Sequence, residues 1–208
     1  MLDIDAIVAK ATVIPVIELD NPDHAAPLAN AFIRGGIRVA ELTLRTSAAL
    51  DAVASMKAAE PDLVVGMGTI TTPADIYRSK DAGADFLVSP GLTSELASEL
   101  LACGLPSLPG VATAGEAMAA TSLGFEVLKF FPAKPVGGLG YLKALSGPLP
   151  KVRFCPTGGI GRDEALDFLS LPNVVCVGGS WLATRSAINE GRWEEIETNA
   201  RFAATLSS

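Results

Sequence analysis

Short apolar runs alternate along this chain with longer segments whose apolar residues recur every third or fourth position. The runs at 13–19, 37–44, 63–68, 85–90, 106–110, 126–131, 151–156 and 174–179 are apolar at both odd and even positions. That is the pattern of strands buried on two faces. The intervening segments predict helices at 22–34, 47–59, 73–82, 93–103, 114–123, 138–146, 162–170 and 181–189. Two more helices, at 3–10 and 193–206, frame the set. Capping signals stand at Asn21-Pro22, Thr46-Ser47, Thr72-Pro73, Thr113 and Arg162-Asp163, where a side-chain oxygen or a proline suits the first turn. Glycines close several helices, at Gly35-Gly36, Gly83, Gly104 and Gly124.

Strand–helix units repeated eight times predict a parallel sheet. They suit a closed (β/α)8 TIM barrel with an extra N-terminal and an extra C-terminal helix, as one domain over 1–208. The rival is an open, doubly wound sheet. No G-x-G-x-x-G follows the first strand, which weakens a dinucleotide-binding version of that rival.

Charge and cysteine usage narrow the function classes. The 208 residues carry 16 Lys and Arg against 23 Asp and Glu, a net charge of −7. With no basic run, nucleic acid is excluded as a partner. No apolar run approaches the ~20 residues of a membrane span, and MLDIDAIVAK lacks the apolar core of a signal peptide. Cys103, Cys155 and Cys176 form no CxxC pair. They read as small hydrophobes in a reducing compartment, so a cytoplasmic protein is expected. The single histidine, His24, sits at a helix start with no partner for a metal site.

Barrel chemistry belongs at the C-terminal ends of the strands. In AELTLRT (40–46), Glu41, Thr43 and Arg45 share one face and Leu42 and Leu44 the other. An acid and an arginine are expected at the mouth, either as functional groups or as an ion pair bracing the barrel. Thr69 follows a glycine that admits close approach of a ligand. Ser89 and Pro90 either line a site or merely end the fourth strand. In EVLKFFPA (126–133), Lys129 shares a face with Val127 and Phe131. A lone buried ammonium costs several kcal/mol, roughly, unless it is paired or neutral. Burial favours the neutral amine, which is the nucleophile toward carbonyls. The seventh and eighth strands lead into Gly158-Gly159 and Gly178-Gly179. Exposed backbone N–H groups at those two loops are a recurrent phosphate cradle. An amine, a carboxylate, an arginine and a phosphate cradle together suit imine chemistry on a phosphorylated keto acid.

The ordered set ELTLRT, GMGTI, SPG, LKFFPA, RFCPTGGI and VGGSWL resembles the 2-keto-3-deoxy-6-phosphogluconate (KDPG) aldolases, bacterial class I aldolases of the Entner–Doudoroff route. The match runs in order from Val13 to Trp181. The resemblance implies that Lys129 forms the Schiff base and Glu41 is the acid–base residue. It implies that Arg45 and Thr69 hold the pyruvate portion, with Pro90 and Phe131 in the substrate-binding set. Gly158, Gly159, Gly178, Gly179 and Ser180 would bind phosphate, with Thr157 near the reacting carbons. It further implies no cofactor, no metal, a small phosphorylated 2-keto acid as partner, and a homotrimer. One departure is visible: the family often has an acidic residue after FPA, whereas this chain has Lys134-Pro135.

Two other functions remain open from the sequence. A phosphosugar isomerase or synthase would share the phosphate loops without using Lys129 as a nucleophile. A phosphate-ligand binder would need no chemistry at all. Within the aldolase reading, the phosphogalactonate epimer and 4-hydroxy-2-oxoglutarate also yield pyruvate through the same imine.

Overall fold

The computed structural model describes residues 3–206. Its strands are β1 (Val13–Ile17), β2 (Val39–Thr43), β3 (Val64–Gly68), β4 (Phe86–Val88), β5 (Ser107–Leu108), β6 (Gly110–Val111), β7 (Val127–Phe130), β8 (Arg153–Pro156) and β9 (Val177–Gly179). All pairings between them are parallel. One sheet runs β5-β4-β3-β2-β1-β9 and a second runs β6-β7-β8. Isolated parallel bridges, Phe154 to Val174 and Thr157 to Gly178, join the β8 segment to the β9 segment.

The helices are α1 (Ile4–Val8), α2 (Ala25–Arg34), α3 (Ala49–Ala59), α4 (Pro73–Asp81), α5 (Ser94–Ala102), α6 (Ala114–Ser122), α7 (Gly138–Leu145), α8 (Ala165–Leu169), α9 (Arg185–Asn189) and α10 (Trp193–Thr205). Thr72 and Thr113 each accept the N–H three residues on, while Asp75 and Glu116 reach back to the cap backbone. These reciprocal caps satisfy donors that a helix start otherwise leaves bare. Gly36, Gly83, Gly104 and Gly124 take positive φ just beyond α2, α4, α5 and α6.

Four expectations need correction. The predicted strand at 106–110 is two pieces, β5 and β6, parted by Pro109, which has no N–H to give a ladder. Thr46 does not cap α3; its hydroxyl donates to the Leu19 carbonyl at 2.5 Å. At 162–170 the cap is Gly161, whose N–H donates to Glu164. The helix predicted at 181–189 starts only at Arg185, behind a Thr184 cap whose hydroxyl accepts from Ala187 N–H.

The strands are buried on both faces and divide their side chains between two cores. Leu42, Val65, Met67, Leu87, Leu128, Phe130 and Phe154 join the helices in the larger one. Ile14, Val39, Val64, Phe86, Val88, Leu108, Val127, Cys155 and Cys176 form the inner one, together with Ile7 and Val8 of α1. The three cysteines are free and buried. Among the described residues, no helix is long and apolar enough to cross a membrane.

Candidate active site

Side chains on β7 alternate as a strand requires. Leu128 and Phe130 face the helices, and Val127 belongs to the inner core. Lys129 therefore points inward, and it is 4% exposed. Its Nζ lies 3.1 Å from Oε1 and 3.5 Å from Oε2 of Glu41, itself 4% exposed. The buried ammonium is thus paired with the one group that offsets its desolvation. The main-chain N–H of Lys129 donates to Pro109 O at 2.9 Å, so the gap between β5 and β6 is used by the lysine's own backbone.

Glu41 reaches this position because β3 leaves room for it. In register, Glu41 lies opposite Gly66 and Thr43 opposite Gly68. A Cβ on Gly68 would overlap Oε1 of Glu41, and one on Gly66 would overlap the Phe86 ring. The glycine before Thr69 thus admits the chain's own carboxylate. Thr69 follows at φ 64, and among the described residues no other non-glycine has positive φ. Such a conformation costs on the order of 1 kcal/mol and concentrates at functional sites.

A cavity of about 280 Å³ opens beside Phe131, two residues on from Lys129. Arg45, Phe131, Thr157, Gly158, Gly159, Gly178 and Ser180 line it, with Val16 and Ile160. Seven residues singled out in the sequence therefore share one space. Lys129 adjoins that space through Phe131, whose ring centroid is 5.4 Å from Nζ. Lys129 itself, Glu41, Thr69, Pro90 and Gly179 do not line it. Pro90 is exposed, and its main chain packs where a Gly110 side chain would stand. Ser89 accepts Gly110 N–H at 3.3 Å, so this segment ties off β4. Gly179 turns outward to Trp181 and Leu182, whereas a Cβ on Gly178 would overlap Thr157 Oγ1.

The loop after β8 presents N–H groups by peptide geometry. Thr157 O accepts from Ala133 N–H at 2.8 Å, and Gly158 O from Lys134 N–H at 3.2 Å. A planar trans peptide points its N–H opposite its C=O. The N–H groups of Gly158 and Gly159 are therefore turned away from Ala133 and Lys134. Both residues hold positive φ, 109° and 77°, which only glycine adopts readily. Lys134 carries the family departure in charge, and Glu164 answers it at 2.8 Å. That ammonium, together with Gly161 N–H, draws the Glu164 carboxyl below its ordinary value.

Arg45 lies beyond the end of β2 and does not pair with Glu41, so the bracing Glu–Arg pair is not formed. Its Nη1 donates instead to Glu18 Oε1 at 2.7 Å. Among the described residues its Nε and Nη2 meet no protein acceptor. That edge can grip a carboxylate in bidentate fashion. Sequence reasoning missed Val16, Ile160, Glu18 and the role of Gly68. Only Gly68 carried a signal, as one of two glycines inside a strand.

Comparison with known proteins places these features in company. The family model described as "KDPG and KHG aldolase" matches residues 4–199. A 2-dehydro-3-deoxy-phosphogluconate aldolase of Pseudoalteromonas atlantica is 44% identical, covering 94% of this chain and 91% of its own. A KHG/KDPG aldolase of Escherichia coli K12 is 41% identical over 96% of this chain and 93% of its own. A solved KDPG aldolase from Legionella pneumophila, with pyruvate captured as a covalent carbinolamine intermediate, superposes with a TM-score of 0.91. It is 42% identical, covering 98% of this chain and 97% of that one.

Proposed function

This chain belongs to the KDPG and KHG aldolase family, and on that premise we propose that it is a class I aldolase acting through a Schiff base on Lys129. Its substrate is 2-dehydro-3-deoxy-6-phosphogluconate, cleaved to pyruvate and glyceraldehyde 3-phosphate in the Entner–Doudoroff route. The reading is carried by the 3.1 Å approach of Lys129 Nζ to Glu41 Oε1 within a buried site. Relatives named KHG/KDPG aldolase support 4-hydroxy-2-oxoglutarate as a second substrate.

Proton transfer from Lys129 to Glu41 frees the amine, which attacks the C2 ketone. Glu41 returns that proton to the departing hydroxyl, so the carbinolamine loses water and becomes an iminium. Glu41 then takes the C4 hydroxyl proton, the C3–C4 bond breaks, and its electrons move into the iminium as an enamine. The aldehyde leaves. C3 is protonated, and water releases pyruvate from Lys129. The iminium is the electron sink, so the chemistry calls for no metal. Arg45, with Thr69, holds the carboxylate, and a guanidinium fork does this better than an ammonium. The N–H groups of Gly158 and Gly159, with Gly178 and Ser180, hold the phosphate, while Gly179 faces Trp181 and Leu182 instead. Binding that remote group fixes the register of the reacting carbons.

The same reading extends to architecture. The bridges between β8 and β9, and the short break at Pro109, support a closed (β/α)8 barrel of one domain. Leu101, Met118 and Leu123 are exposed on or beside α5 and α6 and offer apolar surface for a homotrimer, which sedimentation would measure. Free buried cysteines support a cytoplasmic setting.

Incubation with pyruvate and borohydride, followed by mass spectrometry, tests the reaction. A reduced pyruvate adduct on Lys129, absent from Lys129→Ala, is the expected result. An unlabelled wild type would remove the imine and leave an isomerase or a phosphate binder.

A further inference from the structure

Glu18 stands directly after β1, and no step above uses it. Its Oε1 accepts from Arg45 Nη1 at 2.7 Å, and its Oε2 faces Arg185 Nη1 at 3.6 Å. Arg185 is itself fixed, because Nε and Nη2 donate to the two oxygens of Asp20 at 2.7 Å each. Asn189 adds a third bond to Asp20 at 2.8 Å. The Arg185 guanidinium, with Asn189, holds the Asp20 carboxyl down at about 2, so the anchor stays charged at neutral pH. A second cavity of about 220 Å³ contains Glu18, Thr184 and Arg185 and meets the first at Val16, Arg45 and Ser180.

As stabilisers these contacts count for little. The Arg45 and Glu18 side chains are 43% and 32% exposed, and such pairs contribute about 1 kcal/mol at most. Their direction matters more. Arginine carries five N–H donors in a rigid fork. Glu18 engages Nη1 and leaves the Nε–Nη2 edge free, the same edge that Arg185 uses on Asp20.

We infer that Glu18 is a positioning residue for Arg45. It fixes the guanidinium so that the Nε–Nη2 edge meets the carboxylate of a 2-oxo acid, and the Arg185–Asp20 pair steadies Glu18 from behind. The inference rests on the reading of Arg45 as the carboxylate clamp. It makes Glu18 a determinant of substrate affinity that leaves bond cleavage to Lys129 and Glu41.

The test is a pyruvate titration of borohydride labelling at Lys129 in wild type, Glu18→Gln, Arg45→Ala and the double variant, with KM and kcat measured alongside. Glu18→Gln is expected to raise both the half-saturating pyruvate concentration and KM roughly tenfold, the scale of one charge-assisted hydrogen bond. The labelling plateau, the melting temperature and kcat should stay close to wild type. The double variant should be no weaker than Arg45→Ala alone. Arg185→Gln, which keeps Glu18, should give a smaller shift in the same direction. An unchanged half-saturation in Glu18→Gln, or a double variant whose losses add, overturns the inference while the aldolase reading stands. A wild type that takes no label fails the parent reading instead.

Discussion

Nζ of Lys129 and Oε1 of Glu41 meet at 3.1 Å across the inner face of the strands, with side chains only 6% and 5% exposed. The two residues are 88 positions apart in the chain. Each is the counter-ion that makes the other's burial tolerable.

Breaking that pair should therefore cost more than deleting it. Lys129→Met leaves Glu41 uncompensated and is expected to destabilise the fold by about 3–5 kcal/mol. Adding Glu41→Gln removes the stranded charge and should restore most of that loss. Urea denaturation of the two single variants and the double variant measures it. Losses that simply add would show that the charges do not support each other.

Gly68→Ala places a methyl group where the Glu41 carboxylate sits. The expected result is a folded protein whose kcat falls by about 100-fold, since misplacement of a reacting group by about 1 Å carries that penalty. Steady-state kinetics and a melting curve separate this outcome from general unfolding. Full activity would show that the carboxylate has another place to stand.

Gly158 holds φ 109, and a Cβ there would lie 3.1 Å from Pro132 Cα. Gly158→Ala is expected to turn the loop and spoil its N–H array at a cost of about 1–3 kcal/mol. Activity on the phosphorylated substrate should fall about tenfold or more in kcat/KM, the scale of that cost. Activity on 4-hydroxy-2-oxoglutarate, which has no phosphate, should change far less. Equal losses on both substrates would deny the loop its phosphate role.

Asp75 should make stability depend on acid. Burial pushes its carboxyl up, but Thr71 N–H, the Arg78 guanidinium and the Thr72 hydroxyl and N–H outweigh this and hold it at about 2, against 3.8 ordinarily. A lowered folded value stabilises above the unfolded one, by about 2 kcal/mol at neutral pH. The contribution fades as pH falls from 3.8 toward about 2. Asp75→Asn should lose that margin at neutral pH, and its denaturation curve should approach wild type below pH ~2. A constant gap across that range would contradict the linkage.

What the sequence disclosed, and what it hid, follows from the range of the interactions. Lys129 stood out because it is a single charge in an apolar run, and period-two alternation gave its facing without any tertiary knowledge. Glu41 and the Gly158-Gly159 loop were legible for the same local reasons. Glu18 was not, because its partner Arg45 lies 27 residues away and an acid after a strand has no local meaning. The separate tenants of Gly66 and Gly68, an aromatic ring and a carboxylate, depend on β4 and β2 and are written in neither glycine. The break at Pro109 had a signal, since proline interrupts a ladder. The late start of α9 had a weaker one, because Trp181, Leu182 and Ala183 look helical until Thr184 takes the cap.

Ile7 and Val8 of α1 pack into the inner core beside Val39 of β2 and Val127 of β7. Those are the two strands that carry Glu41 and Lys129. A five-residue helix ahead of the first strand is thus a foundation for the buried ion pair, and slack introduced there has a short route to the place where the two charges meet.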